Sequence, residues 1–148
     1  MRPEDVRGGE PASGEILIVE DNQVNAMILR SMLRKRGYEP VIASNGVEGV
    51  EMSDIHRPDL ILMDLQMPRL DGFAAAAAIR RNTAGRRPAI VAVTADAGSD
   101  MREACHAAGF ACVLAKPIVY DDLIAMVRRL LNIGAARQAA TASTESSE

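Results

Sequence analysis

Hydrophobic residues recur along the chain in five short, unbroken runs. They are ILIV (16–19), PVIA (40–43), LILM (60–63), AIVAV (89–93) and CVLA (112–115). None alternates with polar residues, which is the pattern of strands covered on both faces. Between the runs the spacing becomes helical. QVNAMILRSMLRKRG places Val24, Met27, Ile28, Ser31 and Met32 on one stripe, and Gly37 supplies a C-terminal stop. VEGVEMSDI predicts a short second helix. GFAAAAAIRRN is alanine-rich and strongly helix-forming. SDMREACHAAG opens on a Ser or Asp cap and stops at Gly109. YDDLIAMVRRLLN has Asp121 and Asp122 in its first turn and two arginines near its last, matching the helix dipole.

Five strands in strict alternation with five helices predict an α/β fold, a parallel sheet with helices on both faces. Right-handed crossovers restrict the topology. The expected solution is a flavodoxin-like, doubly wound sheet of order 2-1-3-4-5. That order makes strands 1 and 3 neighbours and opens a crevice at their carboxyl ends, where ligands of such sheets bind. Residues 1–14 are polar and rich in Gly and Pro, so they read as a disordered leader. Residues 134–148 are small and polar and read as a loose tail, leaving 15–133 as the folded part.

Composition narrows the classes. Hydrophobic residues are 48% and charged residues 25%, as in a soluble globular protein. The net charge of -3 provides no basic field to recruit nucleic acid or membrane. No apolar run approaches the ~20 residues of a membrane span. With no signal-peptide core, the chain reads as cytoplasmic. Cys105 and Cys112 are too few and wrongly spaced for a zinc site, and read as buried free thiols. His56 and His106 stand apart from any ligand-like cluster.

Candidate chemistry gathers at the strand ends. Strand 1 ends in Glu20 and Asp21, and strand 3 ends in Asp64. The topology brings all three carboxylates to one crevice mouth. Asp21 or Asn22 could serve as an N-cap, but capping accounts for one acid and not three. Such a cluster repels itself, and a hard divalent cation resolves the repulsion. Carboxylates, waters and a backbone carbonyl suit octahedral Mg²⁺, and Gln66 is placed to offer that carbonyl. Strand 4 ends in Thr94 and strand 5 leads to Lys116. Metal, hydroxyl and ammonium around one carboxylate form the set that stabilises a transferring phosphoryl group. Asp64 is then the nucleophile of an aspartyl-phosphate. In the same stretch, Asp59 reads as a polar strand boundary and Asp71 as a turn or cap residue.

These motifs resemble the response-regulator receiver domain of two-component signalling. The resemblance covers about 15–133 and rests on ILIVEDN, DLILMDLQMPRLDG, VAVTADA and LAKPI, in order. It is most similar to receivers of hybrid histidine kinases. It implies Asp64 as phosphoacceptor, Asp21 as direct Mg²⁺ ligand and Glu20 as an acid acting mainly through water. It implies Gln66 as the carbonyl ligand, Thr94 as the switch hydroxyl and Lys116 as the phosphate-binding lysine. Pro117 matches a proline often held in a cis peptide. The family usually has Tyr or Phe three residues before the lysine; here that position is Val113. The nearby rings that could stand in are Phe110 and Tyr120.

The resemblance further implies a phosphoacceptor module. It takes phosphoryl from a phosphohistidine on a sensor histidine kinase or phosphotransfer protein. Downstream docking is expected on the fourth helix, strand 5 and the fifth helix, with a monomer or weak dimer. It would be a stand-alone receiver or a piece of a longer kinase, with no effector module expected after residue 133. A phosphatase of the haloacid-dehalogenase type also combines Asp, Thr or Ser, Lys and Mg²⁺. It needs a second acid two residues after the nucleophile, and Gln66 occupies that position, which argues against an enzyme acting on external substrates. A module that docks constitutively and ignores phosphate is disfavoured by the complete site.

Overall fold

The computed structural model describes residues 15–67, 71–82 and 88–146, with side chains through Ile133. The expected leader, 1–14, lies outside these residues, as do residues 68–70 of the QMPRLDG loop. The strands are β1 (Ile16–Val19), β2 (Val41–Ala43), β3 (Leu60–Asp64), β4 (Ala89–Thr94) and β5 (Cys112–Ala115). The helices between and after them are α1 (Gln23–Arg34), α2 (Gly46–His56), α3 (Gly72–Arg81), α4 (Ser99–Ala107) and α5 (Tyr120–Ser146).

All pairings are parallel and the sheet order is β2-β1-β3-β4-β5, the order expected from the alternation of runs. Adjacent residues on a strand face opposite sides of the sheet, so each strand feeds two cores. Ile16, Ile18, Leu60, Leu62, Val91 and Val93 pack under α1 and α5. Leu17, Val19, Ile61, Met63, Ile90 and Ala92 pack under α2, α3 and α4. Residues of β3 from Leu60 to Met63 are at most 1% exposed, which is why this run carries no polar alternation. Truncating one of them to Ala would cost about 2–5 kcal/mol.

Two local expectations are corrected. On α1 the buried residues are Ala26, Leu29 and Leu33, whereas Val24, Met27 and Ile28 are 65%, 64% and 46% exposed. Of the expected stripe only Met32 packs against the core; Val24, Met27, Ile28 and Ser31 face out, because Leu29 and Leu33, one turn apart, reach the core instead. The N-cap of α4 is Gly98, with no side-chain cap bond, rather than Ser or Asp. The backbone of α5 is helical through Ser146. GAARQAATA is rich in Ala, the best helix former, which favours continuation over a coil. Gly37 and Gly109 have φ of 89° and 91°, the left-handed conformation that ends a helix with little strain in glycine.

Candidate functional site

Asn22 settles the capping question at the end of β1. Its side-chain Oδ1 accepts from the Asn25 N–H at 2.9 Å, which caps α1 and leaves Asp21 exposed and unused by the helix. Glu20 points inward and is 3% exposed. Its backbone N–H bonds Ala43 O at 3.0 Å, and its carboxylate Oε2 accepts from the Asn22 N–H at 3.2 Å. Asp64, the last residue of β3, is also 3% exposed, and its Oδ1 accepts from the Gln66 N–H at 3.1 Å.

Lys116 follows β5, where its backbone N–H bonds Thr94 O at 2.9 Å. That bond carries the lysine to the carboxyl end of the sheet. Its Nζ lies 3.3 Å from Glu20 Oε1 and 3.4 Å from Asp64 Oδ1. The Lys116–Pro117 peptide is cis. Thr94 is fully buried at the end of β4, and its Oγ1 accepts from the Asp96 N–H at 3.1 Å. The crevice therefore joins Glu20 and Asp21 after β1, Asp64 and the exposed Gln66 at the end of β3, Thr94 at the end of β4 and Lys116 after β5.

Electrostatics mark Glu20 as the strained member. Burial, then a hydrogen bond and charge repulsion from Asp64, push its carboxyl up to about 7, against the opposing pull of the Asn22 N–H and Lys116. Its buried Oε1 has no hydrogen-bond partner; the nearby Lys116 ammonium is an ion-pair contact only. One oxygen each from Glu20, Asp21 and Asp64 lies within 4.8 Å of the others. An all-oxygen donor set, partly buried and carrying an orphaned carboxylate oxygen, fits a hard divalent cation better than a soft one.

The residues around Val113 divide by sheet face. Val113 is half-buried and, like Phe73 and Met101, packs against the core on the α2–α4 face, which includes Phe110. Tyr120 packs on the opposite face, where the Lys35 ammonium lies 5.4 Å from its ring centre. Of the two candidate rings, only Phe110 shares a core with Val113. Asp59 and Asp71 take up structural work. Asp59 Oδ2 accepts from Glu15 N–H at 2.8 Å, and Asp71 caps α3 through Ala74 N–H at 2.9 Å. Cys105 is buried and Cys112 half-buried, both free.

One residue beside the site escaped the sequence reading. A Cβ on Gly72 would stand 2.6 Å from Asp64 O and 2.9 Å from Leu65 Cα. The first turn of α3 thus rests directly on the backbone that carries Asp64. The only signal in the sequence was the glycine that follows Asp71.

The response regulator receiver domain model matches residues 16–128. The chain is 42% identical over 130 residues to hybrid signal transduction histidine kinase B of Dictyostelium discoideum, across 80% of this chain and 7% of that protein. It is 44% identical over 111 residues to the transcriptional regulatory protein PdtaR of Mycobacterium tuberculosis, across 74% and 52%. The chain thus spans a small part of the first relative and about half of the second. Among solved structures, it resembles the receiver domain of the sensor histidine kinase PA1611 from Pseudomonas aeruginosa, which holds a magnesium ion in its active-site cleft. There the TM-score is 0.74 and the identity 40%, over 82% of this chain and 99% of that one.

Proposed function

The chain belongs to the response regulator receiver domain family, and we propose that it is the phosphoacceptor of a two-component phosphorelay, with Asp64 as the residue modified. The observation that carries this reading is the placement of Lys116 Nζ within 3.4 Å of both Asp64 and Glu20 at the mouth of a buried acidic crevice. A carboxylate held beside a cation, a second buried acid and a buried hydroxyl has the groups that can hold a phosphoryl group.

The donor is a phosphohistidine on a sensor histidine kinase or a phosphotransfer protein. An Asp64 carboxylate oxygen bonds to phosphorus as the P–N bond breaks, and the donor imidazole leaves with the bonding pair. The Gln66 N–H on Oδ1 fixes the carboxylate's rotation. Lys116 follows the negative charge onto the phosphoryl oxygens, and the Thr94 hydroxyl is the remaining donor at the neighbouring strand end. Glu20, Asp21, Asp64 and the Gln66 carbonyl would hold Mg²⁺, which when bound offsets the clustered charge and stabilises the phosphoryl oxygens. Asp21, freed from capping by Asn22, is the exposed ligand.

The donor docks on α1. That helix starts two residues after Asp21, so exposed Val24, Met27 and Ile28 border the mouth a phosphohistidine must reach. Downstream recognition uses α4, β5 and α5, which flank Thr94 and Lys116. The module acts in signalling rather than on external substrates. Among the described residues no helix is long and apolar enough to cross a membrane, and a cytoplasmic setting accords with a cytoplasmic kinase partner. The chain works as a monomer or weak dimer. Acetyl phosphate with Mg²⁺ tests the reading, since label should enter the wild type and not Asp64→Asn.

A further inference from the structure

Helix α3 touches the site at one end and the turn that follows α4 at two points. Its first residue, Gly72, rests on the Asp64 carbonyl with no room for a Cβ, and the Gly72 N–H faces Leu65 O at 3.5 Å. Its second residue, Phe73, meets Phe110 edge-to-face, with ring centres 5.5 Å apart at 85°. Near its end, Arg80 donates from Nη1 to Ala108 O at 2.9 Å and from Nη2 to Gly109 O at 2.6 Å. The same guanidinium lies 5.6 Å from the Phe110 ring centre. It also packs tightly on Gly109, whose absent Cβ would fall 3.2 Å from Arg80 Cζ.

Those carbonyls belong to the turn that closes α4. The last C=O groups of a helix lack partners within it, and a cation there also suits the dipole. The rest of the turn is backbone-bonded, with Gly109 N–H on His106 O and Phe110 N–H on Cys105 O, each at 3.0 Å. Arg80 at one end of α3 and Phe73 at the other therefore hold a formed turn to the helix whose first residue abuts Asp64.

We propose that α3 is a rigid link between Asp64 and α4, with Gly72 as its contact at the site and the Arg80–Phe110–Phe73 stack as its grip on the 108–110 turn. A change in the backbone of 64–66 displaces Gly72, because no slack separates them. The stack then carries that displacement into α4. This route needs no aromatic residue at position 113; Val113 only shares the core that contains Phe110. The inference rests on Asp64 being the phosphoacceptor.

Amide hydrogen exchange with and without beryllofluoride and Mg²⁺ tests it, on wild type, Arg80→Ala and Arg80→Lys. The lysine keeps the charge and stem but cannot fork to both carbonyls or stack, so it covers the case of an alanine variant that folds poorly. In the wild type, beryllofluoride changes exchange both at Leu65–Met67 and across 99–110. In both Arg80 variants, exchange at 105–110 without beryllofluoride rises about tenfold, more in Ala than Lys. Their response across 99–110 is lost, while the response at Leu65–Met67 and the rate of labelling by acetyl phosphate persist. An undiminished response across 99–110 in the variants overturns the proposal. So does a wild type that responds at Leu65–Met67 alone. A wild type that responds nowhere overturns the phosphoacceptor reading and the link together.

Discussion

Lys116 Nζ stands 3.4 Å from Asp64 Oδ1, and the same ammonium lies 3.3 Å from Glu20 Oε1. One cation thus bridges two carboxylates that are each 3% exposed. Removing it leaves two buried acids facing each other, a change that breaks a network rather than trimming a surface pair. Lys116→Ala should slow labelling by acetyl phosphate about a hundredfold, as loss of one donor to a developing oxyanion does elsewhere. The metal-free protein should also lose about 2–3 kcal/mol in denaturant melts at pH 8. Labelling at the wild-type rate would remove Lys116 from the phosphoryl site.

Glu20 sets a pH dependence with a definite sign. Its folded carboxyl is pushed up to about 7 by burial and by Asp64, above its unfolded value. The folded state therefore binds the proton more tightly, and its contribution to stability is full below the unfolded pKa and lost as pH rises toward 7. In EDTA, thermal melts should show the wild type falling by a few kcal/mol relative to Glu20→Gln between pH 4.5 and 8. Mg²⁺ should abolish that difference at pH 8, because it favours the deprotonated carboxylate. Parallel curves for the two proteins in EDTA would show that Glu20 is not strained.

Asn22 and Asp21 separate capping from ligation. Asn22→Ala should cost about 1 kcal/mol through loss of the α1 cap and leave Mg²⁺ affinity within about twofold of wild type. Asp21→Asn should leave stability nearly unchanged and weaken Mg²⁺ binding at least about tenfold, since an exposed ligand charge is removed with no packing lost. Isothermal titration of both variants checks the contrast, and reversed effects would reassign the two roles.

Gly72→Ala should destabilise by about 1–3 kcal/mol, because the new methyl meets backbone rather than a flexible side chain. Leu65→Ala in the same chain should not rescue it. The shortest contact is to Asp64 O, which no side-chain truncation removes. Rescue in denaturant melts would make this a crowding of Leu65 Cδ2 alone.

The sheet order and the strand-end cluster were legible because both follow from local rules. Five apolar runs alternating with helices permit few topologies, and the carboxyl ends of neighbouring strands must then meet. The face of α1 was not legible. Val24, Met27 and Ile28 fit helical spacing as well as Ala26, Leu29 and Leu33 do, and an apolar residue on a solvent face leaves no trace in the period. Arg80 was hidden for a different reason. It reaches backbone carbonyls of a distant turn, which carry no residue-type signal. Gly72 was visible only as a turn glycine, since a close approach between segments is a tertiary fact.

The central claim is that Asp64 accepts phosphoryl in a Mg²⁺-dependent crevice. Intact-mass measurement after incubation with acetyl phosphate and Mg²⁺ tests it most directly. A gain of about 80 Da, one phosphoryl group, is expected in the wild type, with none in Asp64→Asn or in EDTA. An unchanged wild-type mass, or an equal gain in Asp64→Asn, would contradict it.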